Sequence, residues 1–159
     1  GYKGAASTRG EIVCVNEHSL AQEVGDEAIV LARNAKCPVA VGRKRSDTAK
    51  HLIERYPEIN VIISDDGLQH YALARTIEIA IVDATRQFGN GWCLPAGPLR
   101  EPVERLESVD FIVTNGAADA KWPMQTMLSP TLRNVRTPQT EITWDEFRAK
   151  KIHAVAGLG

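Results

Sequence analysis

Short apolar runs alternate with helix-period stretches along this chain. "GEIVCVNE" (10–17) reads as a strand, and "PVAVG" (38–42) as a second, short and buried. Between them, "LAQEVGDEAIVLARNA" (20–35) sets Val24, Ala28, Leu31 and Ala32 at helical spacing, which predicts a helix over 22–34. Ser46 or Asp47 can cap a further helix carrying Ala49, Leu52 and Ile53. "NVIIS" (60–64) predicts a strand, and "LQHYALAR" (68–75) places Leu68, Tyr71, Ala72 and Arg75 at helical spacing. "IEIAIVD" (77–83), "DFIVTNG" (110–116) and "KIHAVAG" (151–157) are further apolar runs. Before the last, "TWDEFRAK" (143–150) predicts a helix with Thr143 as N-cap and Glu146 at the capping-box position.

Continuous apolar strands separated by helices predict an α/β fold with a mainly parallel, covered sheet and flanking helices. In such sheets ligands sit beyond the carboxyl ends of the strands. Asp65, Asp66, Asp83 and Asn115 all take that place in the predicted pattern.

Composition narrows the class. The 159 residues are 43% hydrophobic and 25% charged, which suits one globular domain or a large part of one. A net charge of −1 argues against a nucleic-acid binder, which would carry a basic excess. No apolar run is long enough to span a bilayer. Cys14, Cys37 and Cys93 are odd in number and lack CxxC spacing, so they read as reduced thiols, not a disulfide framework or zinc site. The chain starts without an initiator Met and stops within a strand pattern, so it is expected to be an excerpt, incomplete at both ends.

"VIISDDGLQH" (61–70) poses the chemical question. Asp-Gly favours a tight hairpin, but no alternating strand follows. Two readings stay open: both aspartates cap the next helix, or they form an acidic rim that holds Mg²⁺, for which one or two carboxylates suffice. Adjacent carboxylates repel unless a cation or hydrogen bonds compensate, which tilts the balance towards metal. His70 follows closely and is weak evidence by itself.

The segment "RQFGNGWCLPAGPLREPVERLESVDFIVTNG" (86–116) is more specific. Gly89 and Gly91 flank Asn90 in a loop that needs unusual backbone angles. Pro95 and Pro98 stiffen the stretch that leads to Arg100, and Glu101 to Arg105 has the (i, i+4) spacing of a surface ion pair. A fixed guanidinium beside glycine-rich backbone suits phosphate recognition, so Arg100 is a candidate ligand.

Together, "DDGLQH" (65–70), "EIAIVDATRQFGNG" (78–91), "LPAGPLREP" (94–102) and "DFIVTNG" (110–116) closely resemble the tetraacyldisaccharide 4′-kinase family, the lipid A 4′-kinases of Gram-negative bacteria. "GYKG" (1–4), "GDEAIVLA" (25–32) and "VAVGRKR" (39–45) match more weakly. The resemblance implies a P-loop-kinase-like core that transfers the γ-phosphate of ATP, with Mg²⁺, to the 4′-hydroxyl of a lipid A disaccharide precursor. It implies Asp26 as general base, Asp65 and Asp66 as the metal-associated catalytic pair, and Gln69 and His70 as completing that motif, His70 as a catalytic and Gln69 as a cofactor-binding candidate. Arg100 and Asn115 are the further candidates for binding phosphates or headgroup. Arg43, Lys44 and Arg45 either meet substrate phosphate or form a solvated basic turn. The implied location is the cytoplasmic face of the inner membrane, with neither nucleic acid nor an obligate protein partner.

One departure stands out. No GxxxxGK[ST] stretch occurs in the chain, so the phosphate cradle of P-loop kinases is missing from these residues. The resemblance places that loop before "GYKG" and a further lobe after the last residue, which makes residues 1–159 the expected central part of the core domain, inactive alone. A nucleotide-driven hydrolase or switch without lipid acceptor, and an inert interaction domain, are the rival readings.

Overall fold

The computed structural model describes residues 10–134, 136, 137, 139–148, 151 and 153. The predicted strand over 151–157 lies outside the described residues, apart from Lys151 and His153, which carry no regular structure. The chain divides into two compact units, residues 1–80 with 106–111, and residues 81–105 with 112–159.

In the first unit, β1 (Val13–Val15) pairs antiparallel with β2 (Val39–Val41), Cys14 opposite Ala40. Their β-branched residues suit a pleated, half-buried surface. Between them lie α1 (Ala21–Val24) and α2 (Asp26–Ala35), so the predicted helix over 22–34 is two helices. The break is Gly25, whose φ of 85° is open to glycine and strained for other residues. Gly25 donates its N–H to the Ala21 carbonyl at 2.9 Å, closing α1, and also stands as N-cap of α2. Val24 is fully buried, and with Val15 and Ala28 it forms the core against which Val13, Ile29, Ala32, Val39 and Val41 pack.

Helix α3 (Arg45–Arg55) follows β2 through Gly42. Its N-cap is Lys44, without a side-chain cap, and not Ser46 or Asp47. The inward face is Arg45, Thr48, Ala49 and Leu52, the (i, i+3, i+4, i+7) stripe, while Ile53 is half exposed. Thr48 is buried, and its hydroxyl donates to the Lys44 carbonyl at 2.9 Å.

Two predicted elements are absent. Residues 60–64 form no strand, because among the described residues they have no ladder partner; Val61 and Ile63 are exposed. Residues 68–75 form successive turns instead of a helix, with His70 N–H bonded to Gly67 O at 2.9 Å and Leu73 N–H to His70 O at 3.0 Å.

A three-stranded parallel sheet has the order β3 (Ile79–Asp83), β4 (Phe111–Asn115), β5 (Pro123–Met124). A 3₁₀ helix over Val103–Ser108 precedes β4. In the second unit, β6 (Thr131–Arg133) and β7 (Glu141–Thr143) form an antiparallel pair, followed by a 3₁₀ helix, Trp144–Phe147. The predicted capping box is present there, Thr143 N–H and hydroxyl reaching Glu146 Oε1 at 3.0 and 3.2 Å, on a shorter helix than 143–150. The architecture is therefore mixed α/β; among the described residues one parallel sheet and two antiparallel pairs stand where one mainly parallel sheet was expected.

A Cβ at Gly42 would run into the Thr48 hydroxyl and lie 3.2 Å from Ile12 Cγ1. Gly42→Ala should therefore lower stability by about 1–3 kcal/mol through overpacking. Urea denaturation of the purified variant checks this; an unchanged midpoint would show that α3 shifts freely.

Candidate functional site

The first unit encloses an open cavity of about 960 Å³. Its walls are apolar, from α2 (Ala28, Leu31), β2 (Val39, Val41) and α3 (Leu52), and its acids are Asp26 with its neighbour Glu27, and Asp65 with Asp66. Helix geometry accounts for the first. Asp26 opens α2, where a negative charge suits the helix dipole, and its Oδ1 accepts the Glu27 N–H at 3.1 Å.

The other two acids come from the loop after residue 64. In a strand, successive side chains point to opposite faces, so adjacent aspartates could not both face one cavity. Asp66 breaks that alternation by adopting φ 47°, in the left-handed region that aspartate tolerates better than most residues. Gly67 then passes so close to Ser64 that an added Cβ would lie 2.9 Å from its hydroxyl and 3.0 Å from its carbonyl oxygen.

Two arginines hold this loop. Arg45 Nη1 donates to Ser64 Oγ at 2.7 Å and to the Asp65 carbonyl. Arg45 is thus engaged with the loop and is not part of a solvated basic turn. Arg75 Nη1 donates to the carbonyls of Gly67 and Leu68 at 2.8 and 2.9 Å, while its Nη2 pairs with Glu78 Oε1 at 2.6 Å. The Tyr71 ring centroid lies 5.5 Å from the guanidinium carbon. In a helix, the Gly67 and Leu68 carbonyls would accept the N–H groups four residues on. Arg75 engages both, consistent with turns in place of the predicted helix.

Among the described residues, no side-chain hydrogen bond or ion pair engages the Asp65 or Asp66 carboxylates. Also among the described residues, no group of three or more His, Cys, Asp or Glu side chains is placed to hold a metal. The donor set therefore does not fit an all-protein cage. Mg²⁺, which keeps several waters, needs only one or two protein carboxylates.

Of the other sequence candidates, Gln69 and His70 lie on the exposed turn after Gly67 and do not line the cavity. Arg100 and Asn115 belong to the second unit. Asn115 ends β4 and accepts the Thr126 hydroxyl at 3.3 Å; Arg100 is exposed. The glycine-rich loop before Arg100 is organised by Asn90, whose Nδ2 donates to Ala96 O at 3.0 Å and whose Oδ1 accepts Trp92 N–H at 3.1 Å. Gly89 and Gly91 have φ of 60° and 76°, as expected for that loop, and the Leu94–Pro95 bond is cis. The expected Arg105–Glu101 ion pair forms at 3.7 Å.

The sequence reading missed the structural roles of Arg75 and Asn90. The (i, i+3) spacing of Arg75 and Glu78 was the available signal for the first, and nothing in it pointed back to the acidic pair.

A family model described as tetraacyldisaccharide-1-P 4′-kinase matches residues 1–159. The chain belongs to that family. It is 53% identical to the tetraacyldisaccharide 4′-kinase of Methylobacillus flagellatus over 146 residues, covering 91% of this chain and 44% of that protein. It is 42% identical to the one from Legionella pneumophila (strain Lens) over 160 residues, all of this chain and 48% of that protein. It is 43% identical to the one from Coxiella burnetii over 160 residues, all of this chain and 45% of that protein. The chain thus spans about half the length of these kinases. No solved structure matches it. Among the described residues, no helix is long and apolar enough to cross a membrane.

Asp83, at the end of β3, supports a pH prediction. Its Oδ1 accepts the N–H groups of Arg86 and Thr85 at 2.8 and 2.9 Å, and these bonds hold its pKa below the ordinary carboxylate value. A carboxylate with a depressed folded pKa stabilises above its unfolded value, about 3.9, and that contribution is lost as pH falls through the folded value. The Thr85 and Arg86 amide shifts should accordingly titrate with a midpoint below about 3.9. An NMR titration with a midpoint at or above that value would contradict it.

Proposed function

We propose that these residues are the acceptor- and metal-handling part of an ATP-dependent kinase. It transfers the γ-phosphate to the 4′-hydroxyl of tetraacyldisaccharide 1-phosphate on a core of P-loop-kinase type, at the cytoplasmic face of the inner membrane. The observation that carries the reading is the convergence of Asp26, Asp65 and Asp66 on one cavity in a chain of this kinase family.

Phosphoryl transfer demands alignment and charge neutralisation more than covalent chemistry from the protein. Asp65 and Asp66 would hold Mg²⁺, which when bound offsets negative charge on the phosphate oxygens. A sugar hydroxyl is a very weak acid, so a positioned base assists its attack. Asp26 fills that role as an exposed carboxylate at the cavity, and the proton leaves the attacking oxygen for a carboxylate oxygen of Asp26. Arg100 and Asn115 are assigned to phosphate or headgroup binding, Gln69 to cofactor binding and His70 to a catalytic role beside the acidic pair.

The test uses the complete reading frame that contains these residues, with ATP, Mg²⁺ and tetraacyldisaccharide 1-phosphate in detergent micelles. Labelled γ-phosphate should appear on the lipid. A folded, ATP-hydrolysing protein that labels no lipid would leave the hydrolase reading standing.

Two substitutions separate the roles. Asp26→Asn should lower kcat by about 10²–10⁴-fold, the usual worth of a general base, with ATP affinity nearly kept. Unchanged turnover would remove the base assignment. Asp66→Asn should raise the Mg²⁺ concentration needed for half-maximal rate, and an unaltered Mg²⁺ titration would remove the metal role.

A further inference from the structure

We infer that Arg75, braced by Glu78, is a positioning residue for the Asp65–Asp66 pair. Its kinetic consequences rest on the kinase reading above; its structural consequence does not.

The loop from Asp65 to Leu68 lies outside any helix or ladder. The nearest backbone bond is local, from His70 N–H to Gly67 O, and ties the turn to itself. Arg75 supplies the outside attachment on the carboxyl side of the pair. One nitrogen, Nη1, donates to the two carbonyls that directly follow Asp66, those of Gly67 and Leu68.

The other end of the fork is anchored in the sheet. Nη2 pairs with Glu78, and both side chains are largely shielded, at 18% and 15% exposure. Glu78 immediately precedes β3, separated from it by no residue. Its own N–H is held by Asp110 Oδ2 at 2.8 Å, and its carbonyl accepts the N–H groups of Asp110 and Phe111 at 3.0 and 3.1 Å. A continuous chain of bonds therefore runs from the start of β4 through Glu78 and Arg75 to the backbone beside the acidic pair.

The chemistry requires arginine. A planar guanidinium presents separate nitrogens to two carbonyls and a carboxylate at once, whereas lysine offers a single point charge. Arg75 itself does not line the cavity, so it acts through the position of Asp65 and Asp66. A misplacement of about 1 Å in a catalytic group can cost about 100-fold in rate.

The experiment compares Arg75→Met, Arg75→Lys and Glu78→Gln in the protein from the complete reading frame. Amide hydrogen exchange is read without nucleotide, and kinetics across a Mg²⁺ titration. In Arg75→Met, exchange across 64–71 should rise by about tenfold or more while α3 stays protected, the mark of local opening. Its kcat should fall by about 10–100-fold, with the half-saturating Mg²⁺ raised and KM for the lipid acceptor little changed. Arg75→Lys, which keeps the charge but not the planar fork, should restore only part of this.

Unchanged exchange across 64–71, or lost activity with an unchanged Mg²⁺ profile, overturns the inference. If Arg75→Met unfolds throughout, Glu78→Gln decides: loosening confined to 64–71 upholds it, and no local change overturns it. A wild-type protein that phosphorylates no lipid withdraws the kinase reading, and the exchange comparison still decides the positioning role.

Discussion

Much of the candidate site depends on one planar cation. The Arg75 guanidinium joins the Glu78 carboxylate to the carbonyls of Gly67 and Leu68. Hydrogen bonds to a charged group contribute roughly 1.5–3 kcal/mol each in net stability. Glu78 offsets the cost of taking the guanidinium out of water, and a half-made arrangement would be worse than none, because it would leave a shielded charge unpaired. The same bonds account for the local conformation. With two carbonyls engaged by Arg75, the helix-period sequence "LQHYALAR" settles into turns, and helix propensity, worth only tenths of a kcal/mol per residue, does not decide the outcome.

Around that loop the first unit is shaped by a backbone angle and by close approaches that suit glycine. Gly25 ends one helix and starts the next, which places Asp26 in the first turn of α2. Gly42 lets the start of α3 close on β2, and this brings Arg45, on the same face as Thr48 and Leu52, to Ser64 and the Asp65 carbonyl. Gly67 packs on Ser64 and completes the turn. Asp26, at the start of α2, and the adjacent Asp65 and Asp66, in the loop after residue 64, thus line one cavity from two stretches of chain.

The legible part of this was the part that local pattern determines. The β-branched runs of β1, β2, β3 and β4, Ala49 and Leu52 on the inward face of α3, and the capping box at Thr143 could be read from spacing; Ile53, read as part of that face, is half exposed. The break at Gly25 was hidden because the apolar period of 22–34 continues through it. "NVIIS" has every local mark of a strand, but a strand exists only with a ladder partner, and its described neighbours supply none. Of the site, the carboxylate pair was visible as an unusual juxtaposition, while Asp26 looked like an ordinary helix-face acid. Its candidacy came from resemblance, and its place on the cavity from Gly25. Arg75 was invisible for a different reason: its partners are backbone carbonyls, which carry no side-chain signature in a sequence.

A site built on two neighbouring carboxylates faces a geometric constraint. Two carboxylates adjacent in sequence are useful to one cation only if both face it. A strand would point them apart, and a helix would turn one about 100° from the other. An irregular loop with Asp66 in the left-handed region brings both to the same cavity, at the cost of strain of order 1–3 kcal/mol. Such a conformation persists only where the surroundings over-determine it. Arg45 fixes the chain just before the pair, Arg75 just after it, and Gly67 removes the side chain that would force the turn open. Irregularity in this loop is therefore the means by which adjacent charges are made to converge, and the flanking arginines are what keep that irregular form in place.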